Sequence, residues 1–465
     1  MPILSRENYW ILETDHTAYA FGVNVRGLLA HAYWGERLPF AEDYPPPPES
    51  DGYASWSEPS HFVPEEYPAH AGAKFVEPCL KTTFADGVRD TVLRFGAAEV
   101  VGADELRVTL RDAHYPLTVV LCYRVHAAHD LIERWAEISN TGDAPITLER
   151  VWSALWHLPG GGQYRLSHLF GRWMEEWQLR RELLQPGVKV KESRRITTSH
   201  SANPWFALDR GGADETQGEV WFGVLAWSGN WKLAAEVTEY GATRLGIGVN
   251  DWDFAWRLHA GETFTTPASL AGYTAGGFGA ASRTLHDYAR SRLPHGKTLH
   301  PVLYNSWEAV FFDVNEATQM AVAERAAQMG VELFVMDDGW FHGRAIDNAG
   351  LGDWWPDEQK FPNGLTPLID RVNALGMDFG LWLEPEMVNP DSDLYRAHPD
   401  WVIHFPTRAR TEMRSQLILN LGRTDVQEYL ITLLDKLLAE HNIAVHQVGH
   451  EPQCQRAGLA RRTRR

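Results

Sequence analysis

Acidic and aromatic residues recur together at three places in the second half of the sequence, and an arginine stands at a fourth. They are Asn305-Ser306-Trp307-Glu308, Asp337-Asp338-Gly339-Trp340, Trp382-Leu383-Glu384-Pro385-Glu386, and Arg414 just before QLILNL. Carboxylates accept hydrogen bonds from hydroxyls and can serve as acids, bases or nucleophiles. Tryptophan offers a broad apolar face to the C–H side of a sugar ring. Adjacent Asp337 and Asp338 should point in different directions, so that one can face a site while the other anchors a loop. Glu384 and Glu386, two apart, share a face if they lie on a strand. Each pair taken alone also fits a structural role, the aspartates as turn formers and the glutamates in a network with loop arginines. Three such clusters and the arginine together point to a site.

The elements that would carry them alternate. VLYNSW (302–307) reads as a strand, and Asp313 with Glu316 makes a capping-box pattern before the helix NEATQMAVAERAAQM, stopped by Gly330. VELFVMDD (331–338) is a near-continuous apolar strand, Thr366-Pro367 opens a helix closed by Gly376, and DFGLWLEPE (378–386) and QLILNL (416–421) read as strands. Thr424 and Gln427 fit a second capping box, ahead of Val426, Leu430, Leu433, Leu434, Leu437 and Leu438 at helical spacing. Apolar strands alternating with one-sided helices imply parallel β/α units, and a (β/α)8 barrel places its functional residues at the C-terminal ends of strands. A complete barrel takes about 250 residues, and four or five strands can be counted after position 300, so the barrel is expected to be incomplete. Acids with aromatics at a barrel mouth suggest a glycoside hydrolase, in which two carboxyl groups flank the glycosidic oxygen, about 5–5.5 Å apart when configuration is retained. The pattern names neither the sugar nor the acids.

Before residue 290 the texture is β. LRVTL (106–110), LTVVLCYRV (117–125) and TLERVWSALWHL (147–158) are rich in β-branched and aromatic residues, with a turn at Asn140-Thr141-Gly142-Asp143. A large antiparallel sandwich is expected, and HDYARSRLPHGK (286–297) reads as a short helix ending in a linker. A net charge of −18 argues against nucleic acid or an anionic membrane as the main partner. Cys79, Cys122 and Cys454 are too few and too scattered for a disulfide framework. The first residues show no signal-peptide pattern and no stretch is long and apolar enough for a membrane span, so a cytoplasmic location is expected.

Long stretches resemble the α-galactosidases of glycoside hydrolase family 36 (clan D). They are DWDFAWRLHAGETFTTP (251–267), NSWEAVFFDVNE, FVMDDGWF, GLGDWWPDEQKFPNGL, GLWLEPEMVNPDSDLYRAHPDW and RSQLILNLGRTDVQEYL. The resemblance runs to Ala444. It implies an N-terminal antiparallel β-supersandwich over 1–290, a linker over 291–300, and the first half of a catalytic (β/α)8 barrel, a TIM barrel, over 301–444. It further implies a retaining enzyme that removes terminal α-1,6-linked galactose from oligosaccharides such as melibiose and raffinose. No metal or other cofactor is implied, and family members form homotetramers, an assembly not expected to survive in this chain. Carried over by position, Trp307, Asp337, Asp338, Trp382 and Arg414 resemble the galactose-binding shell, with the acids accepting from the axial 4-OH and the 6-OH and the tryptophans walling the ring. The family also brings an N-terminal loop near the sugar, whose acid cannot be placed within DGYASWSEPSHFVPEEYP.

The resemblance fails over 445–465, a polar, Arg-rich tail expected to be disordered. The family's nucleophile is an Asp in a motif resembling Ile-Lys-Trp-Asp-Met-Asn-Arg, and its acid/base Asp would lie beyond Arg465. Here His446-Gln447-Val448-Gly449-His450-Glu451-Pro452 stands instead, with Gly449 at the nucleophile's position. Codons for His446 to Gln453, read one nucleotide later, can encode Ile-Lys-Trp-Asp-Met-Asn-Arg, and most of their bases are fixed by the residues. A single-base frame change near codon 445 is therefore expected. Zinc binding by His441, His446, His450 and Cys454 fits less well, because Gly449 and Pro452 break the helix that would bring them together. A basic tail for acidic partners has no other support in this acidic chain. The expectation is an α-galactosidase by family whose present chain is inactive and C-terminally truncated, with a non-catalytic galactoside-binding protein as the alternative.

Overall fold

The computed structural model describes residues 2–56, 58–410 and 412–448, and only the backbone of 446 and 448. The chain divides into two compact units, Met1–Lys297 and Thr298–Arg465.

The first unit is built of antiparallel sheets of four, six and ten strands among the described residues. The runs read as strands are strands, at Glu105–Asp112, Leu117–His126 and Ile146–His157. Leu117–His126 pairs with Leu131–Asn140 over its whole length, and buried residues alternate along both. That alternation is what a sheet with one face on the core requires. Val119, Leu121, Ile132, Ile138, Leu148 and Trp152 are among the side chains of one continuous core. Each such aliphatic side chain contributes about 1.5–3 kcal/mol by leaving water. At the expected turn the Asn140 Oδ1 accepts from the Gly142 amide at 3.0 Å. A Cβ at Gly142 would stand 2.3 Å from the Pro116 ring, so only glycine fits. The closing helix is longer than its sequence signal, spanning Gly277–Arg292.

Charge is buried at the centre of this unit. Glu66, fully buried, accepts from Arg134 at 2.8 Å, Tyr19 at 2.6 Å and Tyr123 at 2.8 Å, with His31 Nδ1 at 3.3 Å. His157 Nε2 lies 2.9 Å from the Glu65 carbonyl, and its ring stacks on His31 with centroids 5.3 Å apart.

The second unit holds a parallel sheet of β1 (Leu303–Asn305), β2 (Leu333–Met336), β3 (Asp378–Leu383) and β4 (Val445–Val448) in that order. Helices α1 (Glu316–Gln328), α2 (Thr366–Ala374) and α3 (Thr424–Glu440) follow β1, β2 and β3 in the chain. Among the described residues the sheet does not close, so over them the barrel is incomplete. Four findings differ from the sequence reading. Helix α1 is capped by Asn315, whose Oδ1 accepts from the Thr318 amide at 3.0 Å while Thr318 Oγ1 accepts from the Asn315 amide at 3.3 Å. The reciprocal box thus sits two residues beyond Asp313. Helix α3 takes Thr424 as its first residue rather than its cap, and Gln427 donates instead to the Leu421 carbonyl at 2.7 Å. QLILNL is not a barrel strand: Leu417–Ile418 pairs antiparallel with Met387–Val388, because the chain leaves β3 at Pro385 and folds back. Finally, Val445–Val448, read as the start of the tail, pair with β3 from Gly380↔Val445 to Leu383↔Val448. Among the described residues no helix is long and apolar enough to cross a membrane.

Candidate functional site

Parallel pairing brings the C-terminal ends of the four strands together, and Asn305 links three of them. Its Nδ2 donates to Asp337 Oδ2 at 2.5 Å and to Gln447 Oε1 at 2.8 Å, and its Oδ1 accepts from the Trp307 amide at 2.8 Å. Ser306 Oγ accepts from the Asp337 amide at 2.9 Å, tying β1 to β2 again. Trp307 is half-buried, edge-on to Phe311 and Phe312 at 5.3 and 5.1 Å. Trp382 pairs in register with Gln447, and its ring meets Trp354 edge-on at 6.1 Å. Its carbonyl accepts from Trp340 Nε1 at 3.0 Å.

The adjacent aspartates take different partners. Asp337 faces Asn305, and burial raises its carboxyl above the usual carboxylate range. Asp338 is clamped by Arg344, with Nε to Oδ1 at 2.8 Å and NH2 to Oδ2 at 2.7 Å. Arg344 is fully buried, and such a bidentate pair fixes direction as well as charge. It also donates to Asn389 Oδ1 at 3.1 Å, and Asn389 Nδ2 donates to the Ser415 carbonyl at 2.7 Å. The chain of contacts thus runs from Asp338 to the residue after Arg414. Lys360 ties the loops beneath by donating to the carbonyls of Phe312, Gly339 and Arg344 at 3.3, 2.6 and 2.7 Å. Burial lowers its ammonium below the ordinary lysine range.

Trp307, Asp337, Asp338 and Trp382 therefore gather at the strand ends, each within one or two contacts of Asn305. Arg414 lies on an exposed bend, its Nε 3.9 Å from Asp347 Oδ2 and its charge acting on the Glu384 carboxyl at the end of β3. Gly449, at the position read as the nucleophile's, lies outside the described residues, as do His450 and Cys454 of the candidate zinc set. Sequence reasoning did not single out Asn305, Arg344, Asn389, Gln416 or Gln447. Asn305 sits in a motif already quoted, so its place at a strand end could have flagged it. Arg344 lies in a loop, and nothing in the local sequence announces its carboxylate.

Known proteins agree with this architecture. Residues 27–259 match the model of the glycosyl hydrolase family 36 N-terminal domain, and residues 263–460 match the melibiase model. The chain is 37% identical over 456 residues to alpha-galactosidase AgaA of Geobacillus stearothermophilus, covering 92% of this chain and 62% of that protein. It is 35% identical over 466 residues to probable alpha-galactosidase G of Aspergillus terreus, covering 94% of this chain and 64% of that one. The crystal structure of AgaA superposes with a TM-score of 0.91 at 35% identity, over 97% of this chain and 66% of AgaA. An AgaA variant crystallised with raffinose gives the same TM-score of 0.91. The chain spans less than two thirds of the length of these two curated relatives. With both units matched in order, the chain belongs to glycoside hydrolase family 36, and the relatives it matches are α-galactosidases.

Proposed function

We propose that the strand-end cluster is the galactose-recognition shell of a retaining α-galactosidase acting on terminal α-1,6-linked galactose in melibiose- and raffinose-type oligosaccharides. The observation that carries this reading is the division of labour between Asp337 and Asp338. One carboxylate is locked on Arg344 and fixes the loop, while the other takes one donor on each oxygen, the Asn305 side chain on Oδ2 and the Asp338 backbone amide on Oδ1, and keeps its remaining lone pairs for sugar hydroxyls. Trp307 and Trp382 supply apolar ring faces, and Arg414 supplies a cation at the rim. The raffinose complex of AgaA supports the substrate class.

Hydrolysis is a separate matter. A retaining glycosidase needs a carboxylate nucleophile, and the position that the family resemblance assigns to it holds Gly449. We therefore assign this chain recognition without turnover, following a frame change near codon 445, with one domain at 1–290, a second that starts near 301 and includes β4 to Val448, a cytoplasmic location and no homotetramer. Calorimetric titration with D-galactose tests the shell: the chain should bind, and Asp337→Ala should weaken binding by about tenfold or more, the worth of one charge-assisted hydrogen bond. Equal affinity in both would overturn the assignment of Asp337. The DNA around codon 445 tests the frame change, and codons that do not give the family motif in the next frame would refute it.

A further inference from the structure

The carboxyl of Glu384 is buried where β3 ends, at 1% exposure. Its Oε2 accepts from Gln416 Nε2 at 3.2 Å, and its Oε1 has no hydrogen-bond partner among the described residues. Gln416 closes the bend that carries Arg414: its amide donates to the Met413 carbonyl at 2.9 Å. Within that bend Arg414 and Ser415 both adopt left-handed backbone, with φ of 50° and 55°. Two consecutive non-glycine residues keep this conformation only where their surroundings hold it. Two side-chain anchors do so, Asn389 on the Ser415 carbonyl and Glu384 on the Gln416 amide.

Resting on the reading of Arg414 as a sugar ligand, we infer that Glu384 is a positioning residue that, as the neutral acid, holds the Met413–Gln416 bend and so aims Arg414 at the galactoside. An ionised Glu384 would leave negative charge on a desolvated oxygen with no donor. Burial is the largest influence and pushes this carboxyl up to about 7. The charged groups facing it are Arg414 and Arg344, which favour ionisation, and Glu386 and Asp338, which oppose it. Once ionised, Glu384 attracts the Arg414 guanidinium and draws it off the sugar. Affinity should therefore be full while Glu384 is neutral and fall as pH rises through about 7.

Hydrogen exchange over peptides covering 412–418, in the 465-residue chain, reads the bend without any sugar. At pH 6, Glu384→Gln should match the unsubstituted chain, and Glu384→Ala should exchange about tenfold faster. If Glu384→Ala fails to fold, Glu384→Asp, too short to reach Gln416, reads the same contact. At pH 8 the ionised Glu384 accepts more strongly from Gln416 and attracts Arg414, so the unsubstituted chain should exchange several-fold slower than Glu384→Gln. D-galactose titrations on the same samples should show affinity falling about tenfold from pH 6 to pH 8, and no such fall in Glu384→Gln. Identical exchange in all variants at both pH values would overturn the role of Glu384. The expected exchange pattern with no galactose binding would leave Glu384 in place and remove the sugar-site reading. Binding with the same pH profile in the unsubstituted chain and Glu384→Gln would do the reverse.

Discussion

In the first unit Glu66 is fully buried and met by Arg134, Tyr19, Tyr123 and His31; in the second, Glu384 is buried almost as deeply and, among the described residues, takes a hydrogen bond from Gln416 alone. Burial disfavours both charges. Around Glu66 the guanidinium and the hydrogen bonds overcome that penalty and hold the carboxyl down at about 2. Around Glu384 they do not, and the carboxyl rises to about 7. A satisfied buried charge fixes one arrangement, whereas an under-satisfied one responds to pH and to a ligand. The first belongs to a scaffold and the second sits beside the candidate site.

The largest effect should come from breaking the satisfied pair. Arg134→Met leaves Glu66 buried without its guanidinium, with only Tyr19, Tyr123 and His31 beside it, which costs about 3–5 kcal/mol. Urea unfolding of the first unit reads this, and a loss below about 1 kcal/mol would mean that Glu66 finds other support. Acid should come next. Burial lowers the His157 imidazole to about 3, so the folded state binds fewer protons than the unfolded chain between about 3 and 6.5. Its contribution is complete above 6.5 and declines as pH falls, by up to about 1.4 kcal/mol per unit. Glu384 has the opposite sign: its carboxyl is raised from 4.5 to about 7, so its contribution is present below 4.5 and declines as pH rises to 7. Melting followed across pH 4 to 8 should show the first unit failing toward acid, with Glu384→Gln removing an alkaline loss in the second. The two units moving together would break the comparison.

Smaller changes sharpen it. Arg344→Lys keeps the charge but loses the fork on Asp338, and should cost about 1–2 kcal/mol and weaken galactose binding, as read by thermal shift and calorimetry. Asn315→Ala removes the cap of α1 and should cost about 1 kcal/mol in the second unit while leaving galactose affinity unchanged. A drop in affinity there would tie the helix cap to the site.

The sequence makes the two regions unequally legible. Strands such as Leu117–His126 announce themselves, because alternation is written residue by residue. The strand ends carrying Trp307, Asp337, Asp338 and Trp382 follow from alternating β/α blocks and from motifs. The start of α1 is ambiguous in the sequence because Asp313 and Asn315 are both good caps, and only the backbone decides between them. QLILNL has the composition of a buried strand, but which neighbour it pairs with is a tertiary outcome. Arg344 on Asp338, Arg134 on Glu66 and the Glu384 oxygen that has no partner among the described residues depend on side chains brought together by folding. No local pattern encodes them.

The central claim, recognition without turnover, meets its most direct test in nitrophenol release from 4-nitrophenyl α-galactoside. The purified 465-residue chain would be assayed beside a version restored by one base at codon 445 and extended through the new frame. The restored protein should turn over and this chain should not. Turnover by this chain would contradict the account, and would make Asp337, Asp338, Glu384 or Glu386 a catalytic carboxylate.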